Sequence, residues 1–297
     1  VRLLLSLFCY SFLLISLISP ALAEQERPKT VAPIALIEQQ KKDLQHYIDS
    51  EQVKPLLAGT DSYLTIIKKH SSVNGKGVAI LLPDWQQGAT NPKAINFLRD
   101  ALPAEGWTTI AVQPNNKPQS YPSTALKREE QVEENQKIIT EYQNKQKVMF
   151  NALMDLTNEY PGIVIVIAQG NNGALLASLF AEQNSGSANE AATNIEIKIP
   201  NAMVLLSSYR QTSNELINSV NEKFAKQLAL SELPILDLYL QHDHPLVMAK
   251  VAQRKSLAKQ EMKVYYRQRQ LNNNATGYYP EQELLSQINS WLKSIGW

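Results

Sequence analysis

Residues 162–168, GIVIVIA, run without a break into Gln169, Gly170, Asn171, Asn172 and Gly173, and then into ALLASLFAEQ. A stretch this apolar has no polar side to offer water. It reads as a strand buried on both faces, the kind found in a parallel sheet covered by helices. The glycine–asparagine turn and the helix-forming segment behind it make a strand–turn–helix elbow.

The same grammar recurs along the chain. Residues 77–83 (GVAILLP) and 107–112 read as further core strands, 62–69 as an early strand, and 202–206, 234–240 and 262–267 as later strands. Helical patterns cover residues 34–48, 93–102, 128–160, 215–228, 251–260 and 281–295. In the long third segment, residues 128–147 read as a solvated charged face, with an apolar stripe at Met149, Ala152, Leu153 and Leu156. Residues 113–125 hold three prolines and read as a surface excursion, and 184–194 as a mobile Ser/Asn/Gly/Ala-rich insertion. Strands alternating with helices predict a doubly wound sheet.

Chemistry is tested at the elbow. In α/β-hydrolases a buried strand ends in G-x-S-x-G, whose small residues permit a strained turn that projects the serine hydroxyl. Here Ala168, Gln169, Gly170, Asn171 and Asn172 occupy those five positions. Gly170 stands where the nucleophile would be, and a glycine has no atom that can attack or be acylated. Asn172 takes the place of the second glycine unless Gly173 serves instead. The late acid is present as Asp243, in ILDLYLQHDHPLV. The histidine expected in the loop at about residues 268–279 is absent, since the chain's histidines are His46, His70, His242 and His244. The loop after residues 77–83 begins Asp84-Trp85, and an aspartate there would repel a developing oxyanion.

The pattern resembles a bacterial family of exported α/β-hydrolase-like proteins, domain of unknown function 3530. ILLPDW, AINFLRDALPAEGWTTIAVQ, IVIVIAQGNNGA, AMVLLSSYR and LPILDLY carry the resemblance, which spans about residues 63–297. It implies an α/β-hydrolase-like three-layer sandwich, with a mostly parallel central sheet and helices on both faces, and it implies export. It implies no catalytic residues.

In open α/β sheets, ligands bind beyond the carboxyl ends of the strands. The rim expected there comprises Asp84, Trp85, Gln169, Gly170, Asn171, Ser207, His242, Asp243 and His244. His242-Asp243-His244 is the densest ligand-like cluster, but neither a third histidine nor a Glu-x-x-His pattern accompanies it, so no metal or other cofactor is expected. Ser207 and Ser208 follow a core strand and suit turn bonding or rim contacts. Asn171 and Asn172 suit either a turn or polar contacts to a ligand.

The N-terminus bears on compartment. Arg2, an apolar run, Pro20 and Ala21-Leu22-Ala23 describe a secretory signal peptide cleaved after Ala23, the alternative being an uncleaved membrane anchor. Val1 as first residue fits a non-AUG start codon read literally. The expected organisation is a signal peptide at 1–23, a flexible lead and helix at 24–60, and an α/β-hydrolase-like domain at 61–297. Cys9, the only cysteine, falls inside the signal, so the mature chain offers no thiol nucleophile, disulfide or Cys-ligated zinc. Loss of Arg2 would leave 28 basic residues against 28 acidic ones, with no basic concentration for nucleic acid. No later segment is apolar enough to span a membrane. These features predict an exported, most simply periplasmic, protein that binds a small molecule or an envelope protein. The alternative is a hydrolase in which Asp243 or Asp84 activates water, aided by His242 or His244, against an ester, amide or lactone.

Overall fold

A computed structural model describes residues 34–184, 195–213, 216–275 and 277–297. The expected signal peptide and nearly all of the 184–194 insertion lie outside these residues. The strands are β1 (Val53–Ala58), β2 (Asp61–Lys68), β3 (Gly77–Leu82), β4 (Trp107–Val112), β5 (Ile163–Gln169), β6 (Ala202–Leu206), β7 (Ile235–Leu240) and β8 (Tyr266–Leu271). The helices are α1 (Leu36–Tyr47), α2 (Ile95–Ala101), α3 (Arg128–Thr157), α4 (Gly170–Asn184), α5 (Ile217–Leu230), α6 (Pro245–Met248), α7 (Val251–Gln260) and α8 (Glu281–Ser294).

The strands form one sheet in the order β1-β2-β4-β3-β5-β6-β7-β8. β1 and β2 pair antiparallel, as do β2 and β4, and the remaining pairs are parallel. Alternation along the strands divides the core into two layers. In β3, Ala79 and Leu81 join Leu98, Leu284, Ile288 and Trp291, on the face covered by α2 and α8. Val78, Ile80 and Leu82 join Phe150, Leu153, Phe180, Phe224 and Leu228, on the face covered by α3, α4 and α5. Every residue of β3 is buried, which is why its sequence shows no polar alternation. The result is an α/β-hydrolase-like three-layer arrangement.

Three sequence expectations are corrected. The sheet begins before residue 61, because β1 pairs with residues 61–66 of β2 as an edge strand. Lys54 and Pro55 disguise it, and both suit an edge, where one side of the strand needs no partner. The last strand lies at Tyr266–Leu271 rather than 262–267, with Met262 in a left-handed backbone (φ 50°) just before it. It too is an edge strand, so its YRQRQL sequence has no need of the apolar run that marked the interior strands. Finally, the buried stripe of α3 starts upstream of Met149, at Asn135, Ile139, Tyr142 and Gln146. Three of those four are polar: Tyr142 and Gln146 reach the elbow at Asn172, and Asn135 accepts from the Ser123 N–H of the loop before the helix.

Candidate functional site at the strand carboxyl ends

The elbow forms where expected: β5 ends at Gln169 and α4 starts at Gly170, whose φ is 57°. Glycine adopts that conformation without a Cβ penalty. Space excludes a side chain as firmly as φ does. A Cβ on Gly170 would lie 2.5 Å from Asp84 Cγ, and 2.7 and 2.8 Å from its two oxygens. The Asp84 carboxylate thus fills the volume that a serine side chain would enter.

The same carboxylate also occupies the groups of an oxyanion hole. In the hydrolase fold, that hole is built from the N–H after the nucleophile and an N–H of the loop after the third strand. Here the Asn171 N–H donates to Asp84 Oδ1 at 2.8 Å and the Trp85 N–H donates to the same oxygen at 2.9 Å. Burial pushes the Asp84 carboxyl up to about 6, while those backbone donors favour its charged form and limit the rise.

Asn171 and Asn172 brace the turn from within. Both are buried, each 1% exposed. Asn171 Oδ1 accepts from Gln211 N at 2.7 Å. Asn172 Nδ2 donates to the Pro83 carbonyl at 2.8 Å, and its Oδ1 accepts from Tyr142 Oη at 2.7 Å. Gln146 Nε2 donates to the Asn172 carbonyl at 3.0 Å. Gly173, not Asn172, serves as the close-packing glycine: a Cβ there would be 2.4 Å from Ser208 Oγ and 2.8 Å from the Ala168 carbonyl oxygen.

Asp243 lies across the rim. Its Oδ2 accepts from Ser207 Oγ at 2.6 Å and Leu240 N at 2.8 Å, and its Oδ1 from His244 N at 2.6 Å. Ser207 sits just after β6 with φ 48°, a left-handed backbone that costs a non-glycine residue about 1–3 kcal/mol. Its Oγ also lies 2.5 Å from Tyr279 Oη. The serine's single hydrogen goes to Asp243, so Tyr279 is the donor in that contact. Tyr279 comes from the loop that holds the histidine of a hydrolase triad. Burial, with the Asp243 charge adding to it, holds the Tyr279 phenol well above the usual tyrosine range. No histidine ring pairs with Asp243 among the described residues. The His244 ring instead stacks on Tyr209 (centroids 4.4 Å apart, planes at 7°), and its Nδ1 accepts from Leu246 N at 3.3 Å.

Between the two ends lies a hollow of about 150 Å³ lined by Asp84, Gln87, Lys93, Gln169, Gly170, Ser207, Tyr209, Asp243, His244, Gly277 and Tyr279. Six expected rim residues therefore come together: Asp84, Gln169, Gly170, Ser207, Asp243 and His244. Three do not line the hollow. Trp85 is 3% exposed and packs edge-on against Tyr121 and Tyr142, with both centroid distances 5.7 Å. Asn171 is turned inward, and exposed His242 is held through its backbone N–H by Asn273 Oδ1 at 2.8 Å. Residues of a His-x-His pair share one side only on an extended strand, and here His244 caps a helical turn. Gln87, Lys93, Tyr209, Gly277 and Tyr279 were missed. Only Tyr279 carried a usable signal, as a hydroxyl-bearing residue in the loop where the histidine was sought. No cluster of three or more His, Cys, Asp or Glu that could hold a metal occurs among the described residues. Two larger hollows, about 540 and 590 Å³, lie beside α1; Gln87 also lines the first of them.

Comparisons with known proteins agree with this architecture. The profile of the family described as "Protein of unknown function (DUF3530)" matches residues 3–294. No curated protein matches the sequence. TT1662 from Thermus thermophilus superposes with a TM-score of 0.53 at 13% identity, covering 81% of this chain and 97% of that one. Esterase 2 of Thermogutta terrifontis, solved after phosphorylation by paraoxon, gives 0.54 at 11% identity, covering 84% and 96%. Dienelactone hydrolase from Anabaena variabilis gives 0.52 at 10% identity, covering 82% and 98%. Identities this low establish a shared fold.

Proposed function

We propose that this chain, which belongs to the DUF3530 family and has an α/β-hydrolase-like fold, binds a small polar molecule in the hollow above Gly170 without serine-hydrolase chemistry. The observation that carries this reading is the Asp84 carboxylate. It sits in the nucleophile's volume and on both N–H groups of the oxyanion hole. A site in that state neither attacks a carbonyl nor stabilises the resulting anion. The remaining cavity keeps convergent polar groups at the sheet's carboxyl ends, where ligands of open α/β folds bind. The signal-like N-terminus supports a cell-envelope setting for this binding role.

Two measurements test the reading. A serine-reactive fluorophosphonate should leave the protein unlabelled, and esters, amides and lactones should not turn over. A thermal-shift screen of small polar compounds should yield ligands whose binding is lost in Gln87→Trp, which fills the hollow from its edge. Labelling, or turnover with no ligand found, overturns it.

One observation favours a second reading. An Asp84 carboxyl raised to about 6 is suited to general-base work near neutrality. It would take a proton from water as that water attacks an ester carbonyl, then return it to the leaving alkoxide as the C–O bond breaks. Turnover abolished by Asp84→Asn in a folded protein would select this reading over the first.

A further inference from the structure

The hollow above Gly170 is small and bears both signs of charge. At about 150 Å³ it is much smaller than the two hollows beside α1, which suits a compact ligand. The two acids in its wall are not equivalent. Asp243 accepts on both oxygens, from the Ser207 hydroxyl and Leu240 N–H on Oδ2 and from the His244 N–H on Oδ1. Asp84 carries its backbone bonds from Trp85 and Asn171 on Oδ1, and it faces the same space.

Lys93 is the basic residue of the wall. Its backbone is pinned on both sides: its N–H donates to Asn91 Oδ1 at 2.9 Å, and its carbonyl accepts from Tyr279 N at 3.2 Å. Its side chain lies against Gly277, where an added Cβ would come within 3.2 Å of Nζ. Lys93 as a whole is half-buried, and among the described residues its ammonium has no hydrogen-bond or ion-pair partner and does not pair with Asp84 or Asp243. An ammonium at the wall of a hollow with no partner of its own is open to an anionic ligand group, which it would hold through charge-assisted bonds.

A carboxylate ligand alone would answer Lys93 and leave Asp84 unmatched, whereas an amine alone would do the reverse. A compact molecule carrying both groups satisfies the two walls at once. We propose, building on the binding reading above, that the hollow is a site for a small free α-amino acid, its carboxylate on Lys93 and its ammonium on Asp84. The stacked Tyr209–His244 pair forms the wall beside a short side chain.

Isothermal titration of the chain lacking residues 1–23 tests this with glycine, L-alanine, D-alanine, propionate, ethylamine and N-acetyl-L-alanine. Glycine or an alanine should bind, with propionate, ethylamine and the N-acetyl compound at least tenfold weaker. Lys93→Met and Asp84→Asn should each weaken amino-acid binding at least tenfold, with melting temperatures reported to show that both fold. His242→Ala, outside the hollow, should leave binding unchanged. The wild-type affinity should also fall as pH drops through about 6, when Asp84 takes up its proton. Propionate binding as tightly as alanine, or Asp84→Asn without effect, overturns the proposal in favour of a plain anion site. A non-zwitterionic ligand that is lost in Gln87→Trp, with no amino acid bound, refutes the amino-acid class and leaves the binding reading standing. Absence of any ligand together with Asp84-dependent ester turnover refutes both.

Discussion

The two ends of the rim depart from a hydrolase site in opposite ways. At the elbow the backbone is retained and its chemical content is replaced: Gly170 keeps the left-handed turn, and the Asp84 carboxylate moves into the serine's volume and onto its N–H donors. At the other end the acid is retained and its partner is replaced. Asp243 keeps its backbone donors, and Ser207 and Tyr279 stand where an imidazole would be. One end is closed to side-chain additions and the other is a hydrogen-bond cluster around a retained acid. A single lost residue explains neither. Restoring a serine alone would therefore restore nothing.

That contrast can be broken most forcefully at position 170. Gly170→Ser sets a Cβ against Asp84 in a left-handed backbone, and urea unfolding should show a loss of about 2–4 kcal/mol. Adding Asp84→Gly should recover part of it, and a non-additive double-mutant cycle would measure the collision directly. If Gly170→Ser is neutral, the elbow is not filled as described.

The next effect is in pH. The folded Asp84 carboxyl is raised from 3.8 to about 6, so the native state holds the proton more tightly than the unfolded chain. Its stabilising contribution is fully present below the unfolded value and is lost as pH rises through about 6. At ~1.4 kcal/mol per unit, the difference between wild type and Asp84→Asn should change by up to about 3 kcal/mol between pH 3.5 and 7. Urea midpoints at successive pH values would check it, and parallel curves would refute the raised carboxyl.

At the other end, Asp243→Ala removes the acceptor of one hydroxyl and two N–H donors, at a cost of roughly 2 kcal/mol. Asp243→Asn should cost less, because an amide oxygen still accepts. Tyr279→Phe should be the mildest, about 1 kcal/mol by thermal or urea unfolding, since it removes one hydroxyl and preserves the packing. A Tyr279→Phe loss as large as that of Asp243→Ala would mean that the tyrosine, not the acid, organises this end.

The interior strands could be read from the chain because a residue buried on both faces has no polar alternative: GVAILL and IVIVIAQ carry that rule openly. The outer strands β1 and β8 do not, because an edge strand tolerates Pro55, lysine, arginine and glutamine. Glycine at 170 and the absence of a late histidine were also visible directly. The role of Asp84 was not. Its sequence position warned only of charge near an oxyanion, and the contact with Gly170 spans 86 positions along the chain, through the pairing of β3 with β5.

By itself, then, the sequence determined the layered α/β core, the position of the elbow and the lack of a nucleophile there, because burial and side-chain chemistry are local properties of each residue. The tertiary structure alone decided which groups fill the vacated space. It set Asp84 on the oxyanion donors, turned Asn171 inward and His242 away, and brought Lys93 and Tyr279 to the hollow. Those outcomes depend on how distant segments are aimed at one another, and aim is a property of the packed sheet rather than of any segment in it.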